Sequence, residues 1–236
     1  MPLQSTRNAQ AGDRDLEILD HVMRYRLTTP EVLHRLFFSD VDRNAVTKVT
    51  SRLCDRELLL SHQLYASFTY FTLGRHGARI TGLAGKKVGP LGPKTLYREY
   101  GTLVFCCMAD PPREKFRVRD IAAKHPELLA RRIDSSHYYT DCEKDTRRLG
   151  YIWVEGGGPT DHIVRTVGTD IIDRRRSIPL LRENIDNQRF VVAVVTCSED
   201  KRTEIAAAFR KIITPYFVRI EAVPELIHLL PGARNG

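Results

Sequence analysis

Apolar residues at helical spacing mark the first organised part of the chain. After a polar lead of about a dozen residues, Asp13 is a plausible helix cap. Leu16, Leu19, Val22 and Tyr25 then follow on one helical face. This pattern predicts a first amphipathic helix.

Two further helices are predicted on either side of a polar turn. Thr29-Pro30 places a hydroxyl cap before a proline at the first helical position, and this second helix ends near Phe38. The turn 39–42 finishes at Asp42, which can cap a third helix. The apolar stripe of that third helix consists of Val46, Val49 and Leu53. Two short helices joined by a tight turn predict a helix-turn-helix.

A β-hairpin is predicted directly after the third helix. Leu58–His62 and Phe68–Leu73 are β-prone runs, separated by a loop at Gln63–Ser67. A helix-turn-helix followed by a hairpin is typical of a winged helix. We therefore expect residues 13–89 to form a winged-helix DNA-binding domain.

The third predicted helix carries polar chemistry on the side away from its apolar stripe. Arginine and lysine can reach guanine edges, asparagine can pair with adenine, and hydroxyls serve phosphates or bases. A solvated helix surface is the alternative interpretation. The candidate base-reading residues are Arg43, Asn44, Thr47, Lys48 and Ser51.

Charge favours the DNA interpretation. Lys and Arg number 37 against 29 Asp and Glu, a net charge of +8, which favours a polyanionic partner. Between Arg43 and Arg98, the acids are Asp55 and Glu57 alone. The candidate phosphate-neutralising residues are Arg52, Arg56, Arg75, Lys86 and Lys87. Arg174–Arg176 form a second candidate phosphate contact.

Three strings in this region carry a family resemblance. DLEILDHVMRYRLTTPEVLHRLFF, TKVTSRLCDRELL and YFTLGRHGARITG follow one another between Asp15 and Gly82. Their order resembles the replication-relaxation proteins of bacterial plasmids and mobile elements. The resemblance implies an N-terminal winged helix, a C-terminal restriction-endonuclease-like α/β domain that is usually degenerate, and a role in replication, transfer or transcription.

The second half is predicted to be a separate α/β domain over residues 95–232. A Gly-, Pro- and Lys-rich hinge at 85–95 precedes a helix over Thr95–Met108, a candidate for dimer contacts. Residues 116–167 admit two interpretations. One is a second winged helix, which consists of Val118–Ala123, a helix around 139–149 and a hairpin over 151–167 tipped by three glycines. The other is the degenerate nuclease-like domain that the resemblance implies.

The end of the chain gives a clearer pattern. A buried strand at Phe190–Thr196, a helix at Ser198–Ile213, a strand at Phe217–Ala222 and a short helix at Pro224–Leu230 predict a β-α-β-α unit. Its order favours a parallel pair of strands.

Carboxylates in the second half allow an alternative function. Metal-dependent hydrolysis needs two or three acids converging on Mg²⁺. In the nuclease-like domain that the resemblance implies, Arg165 stands where an acid is expected, in a segment predicted as a strand. We therefore predict no catalytic residues, metal or cofactor. A metal-dependent nuclease with a rearranged site is the alternative. Its candidate acids are Glu155, Asp161, Asp170 and Asp173.

The remaining composition excludes other classes. The five cysteines never form a C-x-x-C motif, which argues against a disulfide framework or a zinc site. The sequence contains neither a long apolar run nor a signal-peptide core. We expect an α+β, cytoplasmic, non-enzymatic regulator that binds specific double-stranded DNA as a homodimer. Its C-terminal domain can also bind a protein partner, and a protein-interaction adaptor is a further alternative.

Overall fold

The computed structural model describes residues 12–83, 88–129, 133–134, 136–143 and 146–230. These residues form a two-stranded sheet, a five-stranded sheet and helices, which confirms the predicted α+β class. They fall into two compact units. The first contains the residues up to His62 with Tyr70–Gly89, and the second contains Gln63–Thr69 with the residues from Pro90 onward. No helix in the described part has the length and apolar character needed to cross a membrane.

Helix α1 (Asp13–Tyr25) opens the first unit. Its apolar buried residues are Ile18, Leu19, Val22 and Tyr25. The predicted stripe is wrong at Leu16, which is 43% exposed. The neighbouring Asp15 is buried instead, because successive residues of a helix point about 100° apart. Asp13 is the first helical residue rather than the cap.

Helices α2 (Pro30–Phe37) and α3 (Arg43–Asp55) have the predicted caps. The Thr29 hydroxyl accepts a hydrogen bond from the backbone N–H of Val32 at 3.3 Å. The Asp42 carboxylate accepts one from the backbone N–H of Asn44 at 2.6 Å. Each cap satisfies an N–H group that has no partner within its own helix.

Strands β1 (Leu59–Tyr65) and β2 (Phe68–Leu73) pair with each other in a hairpin, whose end at Gln63–Thr69 is assigned to the second unit. The predicted loop of five residues is wrong, since β1 continues to Tyr65. A β-bridge connects the segment before α2 to strand β2. Thr28 and Phe71 exchange two backbone hydrogen bonds of 3.0 and 2.8 Å there.

Helix α4 (Arg75–Ile80) follows β2 and packs closely against the backbone that leads into β1. A Cβ atom on Gly77 would lie 2.1 Å from the Leu58 carbonyl oxygen. The approach therefore requires glycine at this position.

The second unit is built on a mixed sheet. Its helices are α5 (Pro93–Cys107), α6 (Val118–Lys124), α7 (Thr160–Ser177), α8 (Pro179–Asp186) and α9 (Glu199–Phe209), with 3₁₀ turns at Pro126–Leu128 and Pro224–Leu229. Its strands are β3 (Glu114–Lys115), β4 (Tyr138–Glu143), β5 (Thr146–Val154), β6 (Phe190–Thr196) and β7 (Phe217–Ala222). The strand order is β3-β4-β5-β6-β7, antiparallel from β3 to β5 and parallel from β5 to β7.

Helices cover both faces of this sheet. On one face Tyr138, Tyr151 and Val192 share a core with residues of α7, α8 and α9. On the other face the Phe105 ring of α5 meets the Tyr139 ring edge-on, with centroids 5.2 Å apart. Tyr139 lies over its cross-strand partner Gly150, where an added Cβ would be 2.1 Å from the ring.

The second-winged-helix interpretation of residues 116–167 is wrong. The segment predicted as a helix around 139–149 forms β4 and β5, which pair antiparallel. The segment predicted as a returning strand is α7, whose Ile163, Val167 and Ile171 are buried at helical spacing. The three glycines 156–158 therefore lie between β5 and α7. β-Branched residues favour strands locally, but here the four-residue spacing of apolar side chains decides the structure.

The predicted C-terminal unit is confirmed as far as its second strand. β6 and β7 have the predicted bounds and are parallel, connected by α9. The predicted bounds of the helix are wrong, since Ser198 caps α9 rather than beginning it and α9 ends at Phe209 rather than Ile213. The last predicted helix is a 3₁₀ turn.

Candidate nucleic-acid interface

The five residues predicted to read bases lie on one side of α3. Val46, Thr50 and Leu53 are buried on the opposite side. Residues three or four positions apart share a helix face, so the exposed set forms a continuous surface. This surface, which we call the α3 face, consists of Arg43, Asn44, Thr47, Lys48 and Ser51, all of them exposed.

The side chains of the α3 face are not engaged within the part of the chain that the structure describes. No hydrogen bond, ion pair or ring contact there involves any of these five side chains. Their donors and acceptors are therefore directed to solvent. A surface of this composition can donate to and accept from base edges.

Contacts in the turn before α3 fix the start of the α3 face. The His34 ring Nε2 is 3.1 Å from the Val41 carbonyl oxygen. The Phe38 N–H donates to the His34 carbonyl at 3.0 Å. Together with the Asp42 cap, these bonds connect the turn to both α2 and α3.

Two predicted phosphate contacts are engaged with a buried acid. Arg52 Nη2 lies 2.6 Å from Asp15 Oδ1, and Arg56 Nη1 lies 3.6 Å from Asp15 Oδ2. The Asp15 side chain is 4% exposed, while that of Arg52 is 51% exposed. The Asp15 carboxylate therefore offsets part of the positive charge of Arg52 and Arg56. The sequence alone predicts that all of that charge serves phosphate neutralisation.

Sequence reasoning missed Asp15, although a signal existed. Asp15 precedes Ile18, Leu19 and Val22 by three, four and seven positions, so it lies on the buried stripe of α1. An acid on such a stripe needs a cationic or hydrogen-bonding partner. The partner came from α3, 37 residues away along the chain.

The other predicted phosphate contacts do not lie on α3. Arg75 is exposed at the first position of α4. Lys86 and Lys87 lie outside the described residues. The structure therefore brings the five base-reading candidates together on one helix face. The described residues of the phosphate-neutralising set belong to two different helices, on or directly after α3 and on α4.

The candidate acids of a nuclease site are not brought together. Glu155 is buried, and it accepts hydrogen bonds from the Thr196 hydroxyl at 2.8 Å and from the Gly157 N–H at 2.7 Å. Asp161, Asp170 and Asp173 lie on α7, and Asp170 binds Arg174. In the part of the chain that is described, no group of three His, Cys, Asp or Glu residues could hold a metal ion.

Arg174, a candidate phosphate contact, is instead a buried structural residue. Its guanidinium is 3.8 Å from the centre of the Tyr151 ring. It also donates to the Tyr151 and Tyr138 hydroxyls at 2.7 and 3.0 Å. The neighbouring Arg175 binds Asp186 at 2.7 Å. These two arginines are therefore engaged within the second unit.

A buried ion pair in the second unit was also missed. Lys115 Nζ lies 3.1 Å from Glu99 Oε2, and both side chains are at most 3% exposed. His137 Nε2 is 3.8 Å from the other Glu99 oxygen. The pair connects α5 to β3, so its role is to hold the helix against the sheet.

Comparisons with known proteins return no assignment. No family model, curated protein or solved structure matches the chain. The resemblance to replication-relaxation proteins therefore stays a prediction.

Proposed function

We propose that this protein is a sequence-specific regulator that binds double-stranded DNA through a winged helix over residues 13–89. The observation that carries the proposal is the α3 face. Its five side chains offer the donor and acceptor types that read base edges, and none of them is used within the described part of the molecule.

The order of elements supports this proposal. Three helices precede a hairpin, and a capped turn separates α2 from α3. This is the order expected of a helix-turn-helix followed by a wing, in which the last helix enters the major groove.

The contrast within α3 also supports it. Arg52 and Arg56 bind Asp15, whereas Arg43 and Lys48 have no such counter-charge in the described residues. Positive charge available to DNA is therefore concentrated toward the first half of the helix. N-terminal residues of recognition helices are the ones that contact bases.

We further propose that the bound site lies near an origin or promoter of a mobile element, in the cytoplasm. This step rests on the family resemblance, since a fold does not fix a function. The second unit would provide homodimerisation or bind a protein partner.

Fluorescence anisotropy tests the DNA proposal. The full chain is titrated against tiled duplexes from the upstream region of its own gene and against random duplex, at near-physiological salt with Mg²⁺. A preference of roughly a thousandfold for one duplex is expected. Uniform weak binding that salt abolishes would contradict the proposal and favour a protein-interaction adaptor. Cleavage of the duplex would favour a nuclease.

A double variant locates the reading surface. Asn44→Ala with Lys48→Ala should remove the preference, while circular dichroism stays that of the wild type. Lys211→Ala is the control, because it removes one exposed positive charge from the second unit. It should leave the preference unchanged.

A further inference from the structure

Strand β7 ends the five-stranded sheet. It pairs with β6 on one side, and no described strand pairs with its other side. Phe217 at its start is 43% exposed, and the nearby Ile213 is fully exposed. An uncovered edge next to exposed apolar side chains is a surface on which another strand can pair.

The register shows which backbone groups face outward. Ala222 is opposite Thr196, and the Val223 N–H donates to the Thr196 carbonyl at 2.8 Å. In a parallel ladder, a residue that faces the neighbouring strand forms its hydrogen bonds with the two residues that flank its partner there. Thr196 of β6 therefore bonds to the residues on either side of Ala222. Glu221 and Val223 thus face β6, and alternate residues face away. The N–H and C=O groups of Val218, Ile220 and Ala222 therefore point out of the sheet.

These outward groups have no other partner in the described structure. No backbone hydrogen bond there, outside the strand ladders themselves, involves Val218, Ile220 or Ala222. Helix α5, the predicted dimer helix, offers no comparable surface, because Leu96, Tyr97, Tyr100, Leu103 and Cys107 are buried on it.

We propose that a second copy of this chain pairs with β7, antiparallel and centred on Ile220, so that the two sheets become one. A two-fold axis at Ile220 pairs Ile220 with itself and Val218 with Ala222 of the second copy. All three outward residues then form hydrogen-bonded pairs.

Charge selects this register over its neighbours. Arg219 and Glu221 lie on one face of β7 and belong to a network with Asp141 and Arg113. An axis at Ile220 places Arg219 opposite Glu221 of the second copy, twice. An axis at residue 219 opposes two arginines, and an axis at residue 221 opposes two glutamates. Opposite charges in directly facing pairs are favourable and like charges are not.

The proposed dimer does not depend on DNA binding. The dimer proposal and the DNA-binding proposal can therefore be contradicted independently. The first test is light scattering coupled to size exclusion on the full chain. The wild type should show twice the 27.0 kDa chain mass. Ala222→Pro removes an outward N–H and should raise the dimer dissociation constant at least about tenfold. Ala222→Ser keeps that N–H and should remain dimeric.

Cysteine cross-linking tests the register even where the proline variant fails to fold. In a Cys142→Ser background, which removes an exposed thiol, Ile220→Cys should form an intermolecular disulfide on mild oxidation. Residues paired across such an axis have Cα atoms about 5.5 Å apart, within reach of a disulfide. Val218→Cys is the matched control and should not cross-link. A monomeric wild type, or a dimer in which Val218→Cys links as readily as Ile220→Cys, would overturn the proposal.

Discussion

The Arg52 guanidinium lies 2.6 Å from the carboxylate of Asp15, a residue buried on the neighbouring helix α1. This pair joins the helix that carries the α3 face to the helix that supports it. It also removes positive charge from the surface that DNA would meet. The proposed interface therefore contains its own internal counter-ion.

Asp15→Asn should change how the protein responds to salt. Without the carboxylate, Arg52 and Arg56 become available to phosphates, so affinity for random duplex should rise. The slope of log affinity against log salt should steepen by about one to two. Anisotropy titrations at several salt concentrations measure this.

Asp13→Asn is the control for that experiment. It makes the same chemical change at an exposed position in the same first turn, and it should leave the slope unchanged. If the wild type binds DNA specifically and Asp15→Asn does not change the salt slope, the prediction is wrong. Asp15 then does not limit the contact of Arg52 and Arg56 with phosphates.

Acid should destabilise the first unit through His21. Burial, with Arg24 nearby, lowers the pKa of His21 from 6.5 to about 3. The unfolded chain therefore binds a proton between these values that the folded chain excludes. Stability is unaffected above pH 6.5 and decreases as the pH falls towards 3. The loss at pH 5 is about 2 kcal/mol.

Hydrogen exchange of α1 at pH 7 and pH 5, corrected for intrinsic rates, measures this loss. His21→Gln should remove the larger part of the pH dependence, whatever its effect at pH 7, and His62, whose pKa burial also lowers, supplies the remainder. His162→Gln, at an exposed position of α7, should retain it. Equal acid sensitivity in His21→Gln and the wild type would show that another group is responsible.

Lys115→Met should destabilise the second unit, because it removes the nearer of the two cations that face the buried Glu99 carboxylate and leaves Arg98 alone, 3.7 Å away. We expect a loss of about 3 kcal/mol. Urea unfolding followed by the fluorescence of Trp153, the one tryptophan of the chain, measures it.

Two companion variants separate charge from packing at this pair. Adding Glu99→Gln to Lys115→Met should recover much of the loss, because no charge is then left unpaired. Lys201→Met breaks an ion pair whose Glu204 side chain is 59% exposed, and it should change stability by less than about 1 kcal/mol. A similar loss in Lys201→Met and Lys115→Met would contradict the role of burial.

Gly77→Ala should destabilise the first unit by about 1–3 kcal/mol. The new methyl group would meet the Leu58 carbonyl oxygen at 2.1 Å, and a backbone atom cannot move aside as a flexible side chain can. Thermal unfolding followed by circular dichroism measures the change. Gly12→Ala is the comparison, because nothing lies within 4 Å of a Cβ at Gly12. If both variants melt alike, the close approach at Gly77 does not limit stability.

Local patterns predicted the elements whose signals are local. The caps at Thr29 and Asp42 gave the starts of α2 and α3, and a continuous apolar run gave β6. The region between Tyr139 and Val167 was misassigned for two reasons. Strand β5 pairs in parallel with β6, where Leu149 lies opposite Phe190, and local patterns do not report a partner so far along the chain. In α7, β-branched residues favoured a strand although the apolar spacing is helical.

The candidate site shows the same division. The α3 face follows from the spacing of residues within one helix, so it could be predicted. The ion pair between Arg52 and Asp15 connects residues that are 37 positions apart along the chain. The spacing of apolar residues within a helix cannot predict such a contact. Sequence reasoning therefore found the polar surface but overestimated its available charge.

The Tyr139 ring over Gly150 implies a constraint on how this protein can evolve. A side chain at position 150 would displace the buried Tyr139 ring from its present place, because the Cβ would lie 2.1 Å from the ring. The two positions should therefore change together. In any natural variant that places alanine or a larger residue at 150, we expect a smaller side chain at 139, acquired before or with the first change.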